Sequence, residues 1–280
     1  MTTSRVKMHK YIVENLVPMN VFCNEFPIIV DMVYSNPSHP SNNFKGLYSS
    51  ESLVLWADRE LAAVILVAAI LANRLYGWRI KLNDCLRTVE AQQQMAQYGY
   101  QPALVSTPGG GAHPRAMAVD VEALDSSGST VDMGTAFDYF ATDPAFDNPA
   151  ARAYTRGWRG EEALDSEIWL NRQKLEYIMR RAAILCGHTI YPLAEEWWDF
   201  RMLPELWEGI AAICENDLHP YQRLRVIDAD AKEVVKKIMD TGCRSLANSA
   251  LPASVFEAIK YALNKFSSVN CFHRRSVCRE

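Results

Sequence analysis

The order of apolar and polar positions divides the chain into a mixed first part and a helical tail. After turn signals at Asn36-Pro37, His39-Pro40 and Asn42-Asn43, the residues Leu53, Leu55 and Trp56 open an apolar run that continues to about Leu75. Ser50 or Ser52 stands where a helix cap belongs, so the pattern predicts a helix from there to Leu75. Trp78-Arg79-Ile80-Lys81-Leu82 then alternates apolar and charged residues, the period of a half-buried strand. A helix is expected from Val89 to Tyr98, a tight loop at Pro108-Gly109-Gly110-Gly111, and a strand from Met117 to Ala123 before the turn Asp125-Ser126-Ser127-Gly128. Asp165 or Ser166 caps a predicted helix from Glu167 to about Cys186, and Gly187 stops it. Short strands are expected from His188 to Tyr191 and from Glu196 to Arg201. From Pro204 onward helices alternate with polar turns: Leu206 to Cys214, Ala231 to Met239 and Ser254 to Phe266. The expected fold class is α+β, a small antiparallel sheet with flanking helices over residues 1–203, followed by a helical C-terminal extension over 204–280.

Composition narrows the function classes. With 49% hydrophobic and 22% charged residues, the 280-residue chain is neither disordered, collagenous nor a coiled coil. Its net charge of −4 gives no basic field for nucleic acid or anionic lipid, and the tail after Phe200 is near neutral with 12 basic and 10 acidic residues. The longest apolar stretch, Leu61 to Ala72, is too short to span a bilayer, so no membrane span is expected. Seven scattered cysteines, an odd number in a chain large enough to need no staples, read as reduced thiols. The first residues lack the apolar segment and cleavage site of a signal peptide. These features imply a cytoplasmic protein, or a periplasmic one whose signal peptide has been removed.

Two segments carry chemistry. In Gly111-Ala112-His113-Pro114-Arg115-Ala116-Met117-Ala118-Val119-Asp120 a His in a Gly-rich loop precedes by seven positions an Asp in a strand, a turn that can bring both lone pairs onto one metal. Alone, such a His is more often an ordinary loop residue. In Glu195-Glu196-Trp197-Trp198-Asp199-Phe200 two carboxylates adjoin two indoles. Burying an unpaired carboxylate there is costly, so the site either pairs it with a cation or raises its pKa for acid/base work. An edge strand with its Trp residues inward and its acids in water fits the same letters equally well.

Together the segments resemble the zinc D-alanyl-D-alanine dipeptidases of the VanX type, within the group of zinc peptidases that carry Ser-x-His-x-x-Gly-x-Ala-x-Asp and a downstream Glu-x-Trp-His. Asp84-Cys85-Leu86-Arg87 is similar to the family's Asp-Gly-Tyr-Arg, and Met133-Gly134-Thr135-Ala136-Phe137-Asp138 to its Met-Gly-x-x-Phe-Asp. Asn171-Arg172 and Asn42-Asn43-Phe44 with Gly46 also fit. The resemblance runs from about Val30 to Phe200 in the family's order. It implies hydrolysis of D-Ala-D-Ala to two D-alanines by metal-activated water. It implies His113, Asp120 and Asp199 as metal ligands, Glu196 as general base, Arg87 as the catalytic arginine and Asp138 as the holder of the substrate's ammonium. It further implies Zn²⁺ as the cofactor and a small D-amino-acid dipeptide as the partner.

The pattern departs from the family where it matters most. Asp199 stands where the family has its third-ligand His, Gly111 where the motif has Ser, and Ala116 where it has Gly. Asp199 gives the ligand set two negative charges where the family has one, which weakens a bound cation as a Lewis acid and favours harder ions such as Mn²⁺. Alternatives therefore stand beside the dipeptidase: a metallopeptidase for other D-amino-acid peptides or muropeptides, or an impaired homologue that binds peptide without turnover. Three roles stay open for the extension, namely packing on the core, covering the site or self-association into a homo-oligomer. Cys271-Phe272-His273 with Cys278 is a weak second metal signal at a chain end.

Overall fold

The computed structural model describes residues 8–98, 106–142, 147–154 and 162–241, without the side chains of 162–166, 240 and 241. Along the chain come β1 (Leu16–Pro18), β2 (Ile28–Val30), β3 (Trp56–Asp58), α1 (Arg59–Tyr76), β4 (Arg79–Asp84), α2 (Val89–Ala96), β5 (Ala118–Leu124), α3 (Glu162–Leu185), β6 (Ile190–Pro192), β7 (Asp199–Met202), α4 (Pro204–Trp207) and α5 (Ala229–Thr241). The fold is α+β. A five-stranded sheet runs β2-β4-β5-β7-β6, and β1 pairs with β3 in a separate ribbon. Within the large sheet every pairing is antiparallel except β2 with β4.

The long helix α1 begins later than the apolar run suggests. Trp56–Asp58 spends its backbone on pairing with β1, so the serines upstream cap nothing in α1. Asp58 is the cap: its Oδ1 accepts from the Glu60 amide at 2.9 Å while its Oδ2 accepts from the Tyr11 hydroxyl at 2.6 Å. Residues Leu61 through Ala72 are all buried, as expected of a helix that is apolar on every side. It packs on α3 and on β4, and α3 also packs on β6. Gly77, at φ +71°, ends α1 with the left-handed turn that glycine adopts most easily.

Strand β4 carries one residue more than its ladder. Leu82 pairs with Val121, but Asp84 pairs with Asp120, so Asn83 is the extra residue of a bulge. Among the C-terminal elements, the helix expected at 206–214 is only the single turn α4. Residues 209–213 are drawn out instead, because His9 exchanges backbone hydrogen bonds with Gly209 and Ala211, and the Ile213 amide donates to Pro114 O at 2.7 Å. The helix expected at 231–239 is α5, whose Ala231 amide is capped by Asp228 Oδ1 at 3.0 Å. Ile213, Leu218, Leu224, Val235 and Ile238 join the same apolar cluster as α1 and the sheet. The helix expected at 254–266 and the Cys271/His273/Cys278 group lie outside the described residues. Among the described residues no helix is long and apolar enough to cross a membrane, and Cys23, Cys85, Cys186 and Cys214 are free thiols.

Candidate metal centre

The ladder sets Asp84, Asp120 and Asp199 side by side on β4, β5 and β7. Cross-strand partners share a face, so three buried carboxylates stand in a row on one side of the sheet, an arrangement that needs cations. Arg87 supplies one: its Nη2 lies 2.7 Å from Asp84 Oδ2 and 3.3 Å from Asp120 Oδ2. Arg201 supplies another. Two positions beyond Asp199 on the same strand, it donates from Nε to Oδ1 at 2.8 Å and from Nη2 to Oδ2 at 2.6 Å.

His113 closes the row. Its Nδ1 lies 2.7 Å from the Cys85 carbonyl, which can only accept, so Nδ1 carries a hydrogen. In the neutral ring the lone pair is then on Nε2, which lies 3.5 Å from both Asp120 Oδ1 and Asp199 Oδ2. A lone pair facing two carboxylates is repelled unless a proton or a metal cation sits between them. Two donors at 2.0–2.2 Å from a tetrahedral ion stand about 3.3–3.6 Å apart, which matches both separations. Asp120 Oδ1 is buried without a hydrogen-bond partner, as a ligand oxygen would be. His113 Nε2 and Asp120 Oδ1 thus make a donor pair that fits a divalent cation. Asp84, His113 and Asp120 also offer ligand atoms all within 4.8 Å of one another, a buried Asp-His-Asp cluster that could hold such an ion. Asp84 spends Oδ1 on the Tyr48 hydroxyl (2.8 Å) and Oδ2 on Arg87, and Asp199 accepts from Arg201 through both of its oxygens, so each would coordinate only through a remaining lone pair.

Electrostatics follow this wiring. Burial and Arg87 would lower the His113 pKa, yet Asp120 and Asp199 outweigh them and raise it to about 9. Burial raises Asp120 above the usual carboxylate range, against the pull of His113. Burial would do the same to Asp199, but Arg201 and the His113 contact hold that carboxyl well below the range.

In front of the row lies a cavity of about 90 Å³ lined by Arg87, Asp120, Asp138, Glu196, Asp199 and Arg201, with Ser106, Met95, Phe140 and Leu193 completing the wall. Glu196 keeps part of its surface on this cavity while protein crowds its other sides. Desolvation, reinforced by Asp199 and Asp120, raises its pKa well above the normal value. Trp197 and Trp198 beside it are buried and meet edge to face, 5.3 Å apart. Trp197 Nε1 donates to Thr135 Oγ1 at 2.8 Å, tying the acid's segment to the loop that carries Asp138. Asp138 itself has φ +58° and accepts from the Tyr34 hydroxyl at 2.7 Å. Burial raises its pKa to about 8 despite that hydrogen bond. Arg172 braces the loop from below, donating to the carbonyls of Met133, Pro149 and Ala151.

Of the six residues singled out in the sequence, Arg87, Asp120, Asp138, Glu196 and Asp199 line one cavity, and His113 abuts it through the two aspartates. Tyr34, Tyr48, the role of Asp84, and Arg201 were not anticipated. Arg201 had a signal, since a residue two beyond Asp199 in a strand must share its face. Tyr34 had none, lying 104 positions from the carboxylate it touches. Ala116, where the motif has Gly, does adopt the left-handed conformation at φ +54°.

No protein-family model matches the chain, and no curated protein does. Among solved structures it is similar to the L-Ala D-Glu endopeptidase ChiX of Serratia marcescens, at 16% identity over 64% of this chain and 93% of that one, with a TM-score of 0.34. A likeness of that size leaves the function to the residues of the cleft.

Proposed function

We propose that the cleft is the centre of a metal-dependent peptidase that hydrolyses D-alanyl-D-alanine, with His113, Asp120 and Asp199 as ligands and Zn²⁺ or Mn²⁺ as the ion. One observation carries the reading: motif residues from four separate stretches of sequence converge on a single cavity, with His113 Nε2 3.5 Å from an oxygen of each of two carboxylates. A cation held there supplies Lewis acidity and lowers the pKa of water at the cleft. Everything else falls to the chain. Glu196, with its raised pKa, takes a proton from water and returns it to the leaving amine. Arg87, fixed by Asp84, offers its guanidinium to the oxyanion as it develops. Asp138, on the wall of the same cavity, pairs with the free ammonium of a short peptide and so limits chain length on that side.

The test is D-alanine release from D-Ala-D-Ala by protein supplied with Zn²⁺ or Mn²⁺, with Glu196→Gln as control. The expected loss in the control is about 10²–10⁴-fold. No release from the wild type with either ion, nor from longer D-amino-acid peptides, rejects the hydrolytic reading. Release from longer peptides alone keeps the metallopeptidase and moves the substrate.

A further inference from the structure

We propose that Arg201 is a positioning residue that makes Asp199 act as a charge-neutral metal ligand, the pair together replacing an imidazole. The inference rests on the metallopeptidase reading above and concerns its least expected ligand.

Three observations support it. First, Arg201 grips both oxygens of Asp199, at 2.8 Å to Oδ1 and 2.6 Å to Oδ2, and Oδ2 also lies 3.5 Å from His113 Nε2. Second, the grip is built into the strand. Ala118, opposite Arg201 in the ladder, and Asp120, opposite Asp199, lie on the same face, so register alone keeps guanidinium and carboxylate adjacent. Third, the charges balance. Neutral His113 with Asp120 and Asp199 gives a ligand set of −2, and Arg201 brings the local sum to −1. That is the sum of a set with two imidazoles and one carboxylate. On the other side, Arg87 Nη2, 2.7 Å from Asp84 Oδ2, reaches Asp120 through Oδ2 alone, at 3.3 Å, and leaves Oδ1 unpartnered. The two arginines therefore treat the two carboxylates differently. Asp120 keeps one oxygen and most of its charge for a cation, whereas Asp199 is neutralised through both of its oxygens.

A neighbour that cancels a ligand's charge weakens metal binding and sharpens the bound cation as a Lewis acid, so removing it must move the two properties in opposite directions. Arg201→Gln keeps a hydrogen-bond donor near Asp199 and removes the charge. Calorimetric titration with Zn²⁺ alone should show binding tightened by about tenfold or more, while kcat on D-Ala-D-Ala falls by about 10–100-fold. Arg201→Lys, which restores charge without the planar fork, should recover part of both. In an Asp199→His background the carboxylate that Arg201 neutralises is gone, and Arg201→Gln should then tighten Zn²⁺ binding clearly less than it does in the wild-type background.

Weakened or unchanged Zn²⁺ binding in Arg201→Gln overturns the proposal in favour of simple scaffolding. Tightened binding with a higher kcat also overturns it, because Arg201 would then be a competitor for Asp199. An equal effect of Arg201→Gln in both backgrounds does the same. A wild type that binds no divalent ion fails differently, since it removes the metallopeptidase reading together with this one.

Discussion

Replacing Asp138 with Asn separates what this side chain costs the fold from what it gives the cleft. The position has φ +58°, and Asn is among the few residues that accept this conformation readily, so the change removes charge with little backbone penalty. The buried carboxyl has its pKa raised from 3.8 to about 8. Between those values the native protein holds a proton at this site that the unfolded chain has released. The contribution of this one group to stability is therefore greatest below about pH 4 and falls as pH rises toward 8, by as much as about 1.4 kcal/mol per pH unit. From pH 5 to pH 7.5 the wild type should lose up to about 3 kcal/mol relative to Asp138→Asn. Urea unfolding midpoints at a series of pH values give the comparison directly. The variant should gain on the wild type as pH rises, and should lose affinity for a peptide ammonium over the same range. Stability curves that run parallel from pH 4 to pH 8 would refute the argument, for the carboxyl would then ionise no later in the fold than out of it.

Other outcomes follow from the same geometry. Arg172→Met strips charged donors from the buried contacts to Met133, Pro149 and Ala151 carbonyls and should cost about 3–5 kcal/mol of unfolding free energy, measured by chemical denaturation. Since a cation must displace the His113 proton, whose pKa is about 9, divalent-ion affinity should rise by about tenfold per pH unit from pH 6 to pH 8 in calorimetric titrations. Ala116→Val places a β-branched side chain at φ +54° in a fully buried site and should cost at least about 2 kcal/mol, seen as a lowered Tm.

What was legible in the sequence was whatever depends on near neighbours. The alternation at Trp78–Leu82 marked β4, Gly187 marked the end of α3, and the spacing of His113 and Asp120 marked a loop feeding a strand. Three kinds of feature were hidden. The serines before Leu53 look like helix caps only while the pairing of Trp56–Asp58 with β1 is unknown, since that partner lies some 40 residues upstream. The apolar stretch after Leu206 reads as a helix until its backbone is claimed by His9 and Pro114. β2, three residues long and parallel to β4, has no periodicity of its own to detect. In the cleft, residue types were visible but their wiring was not: Arg87 binds Asp84 through a short local contact, while Tyr34 and Tyr48 reach their carboxylates across the tertiary fold.

The extra residue in β4 has a consequence for how such a cleft can be gained or lost. Ile80 and Leu82 stand opposite Ala123 and Val121, whereas Asp84 stands opposite Asp120, on the other face. Strict alternation would have turned Asp84 the same way as Leu82, into the apolar interior. The slack contributed by Asn83 therefore decides whether an acid is a misfit or an anchor for Arg87. Drawing Asn83 into the regular ladder would leave every chemically important side chain in the protein and still dismantle the cleft, by pairing Asn83 with Asp120 and turning the supporting acid toward the wrong side of the sheet.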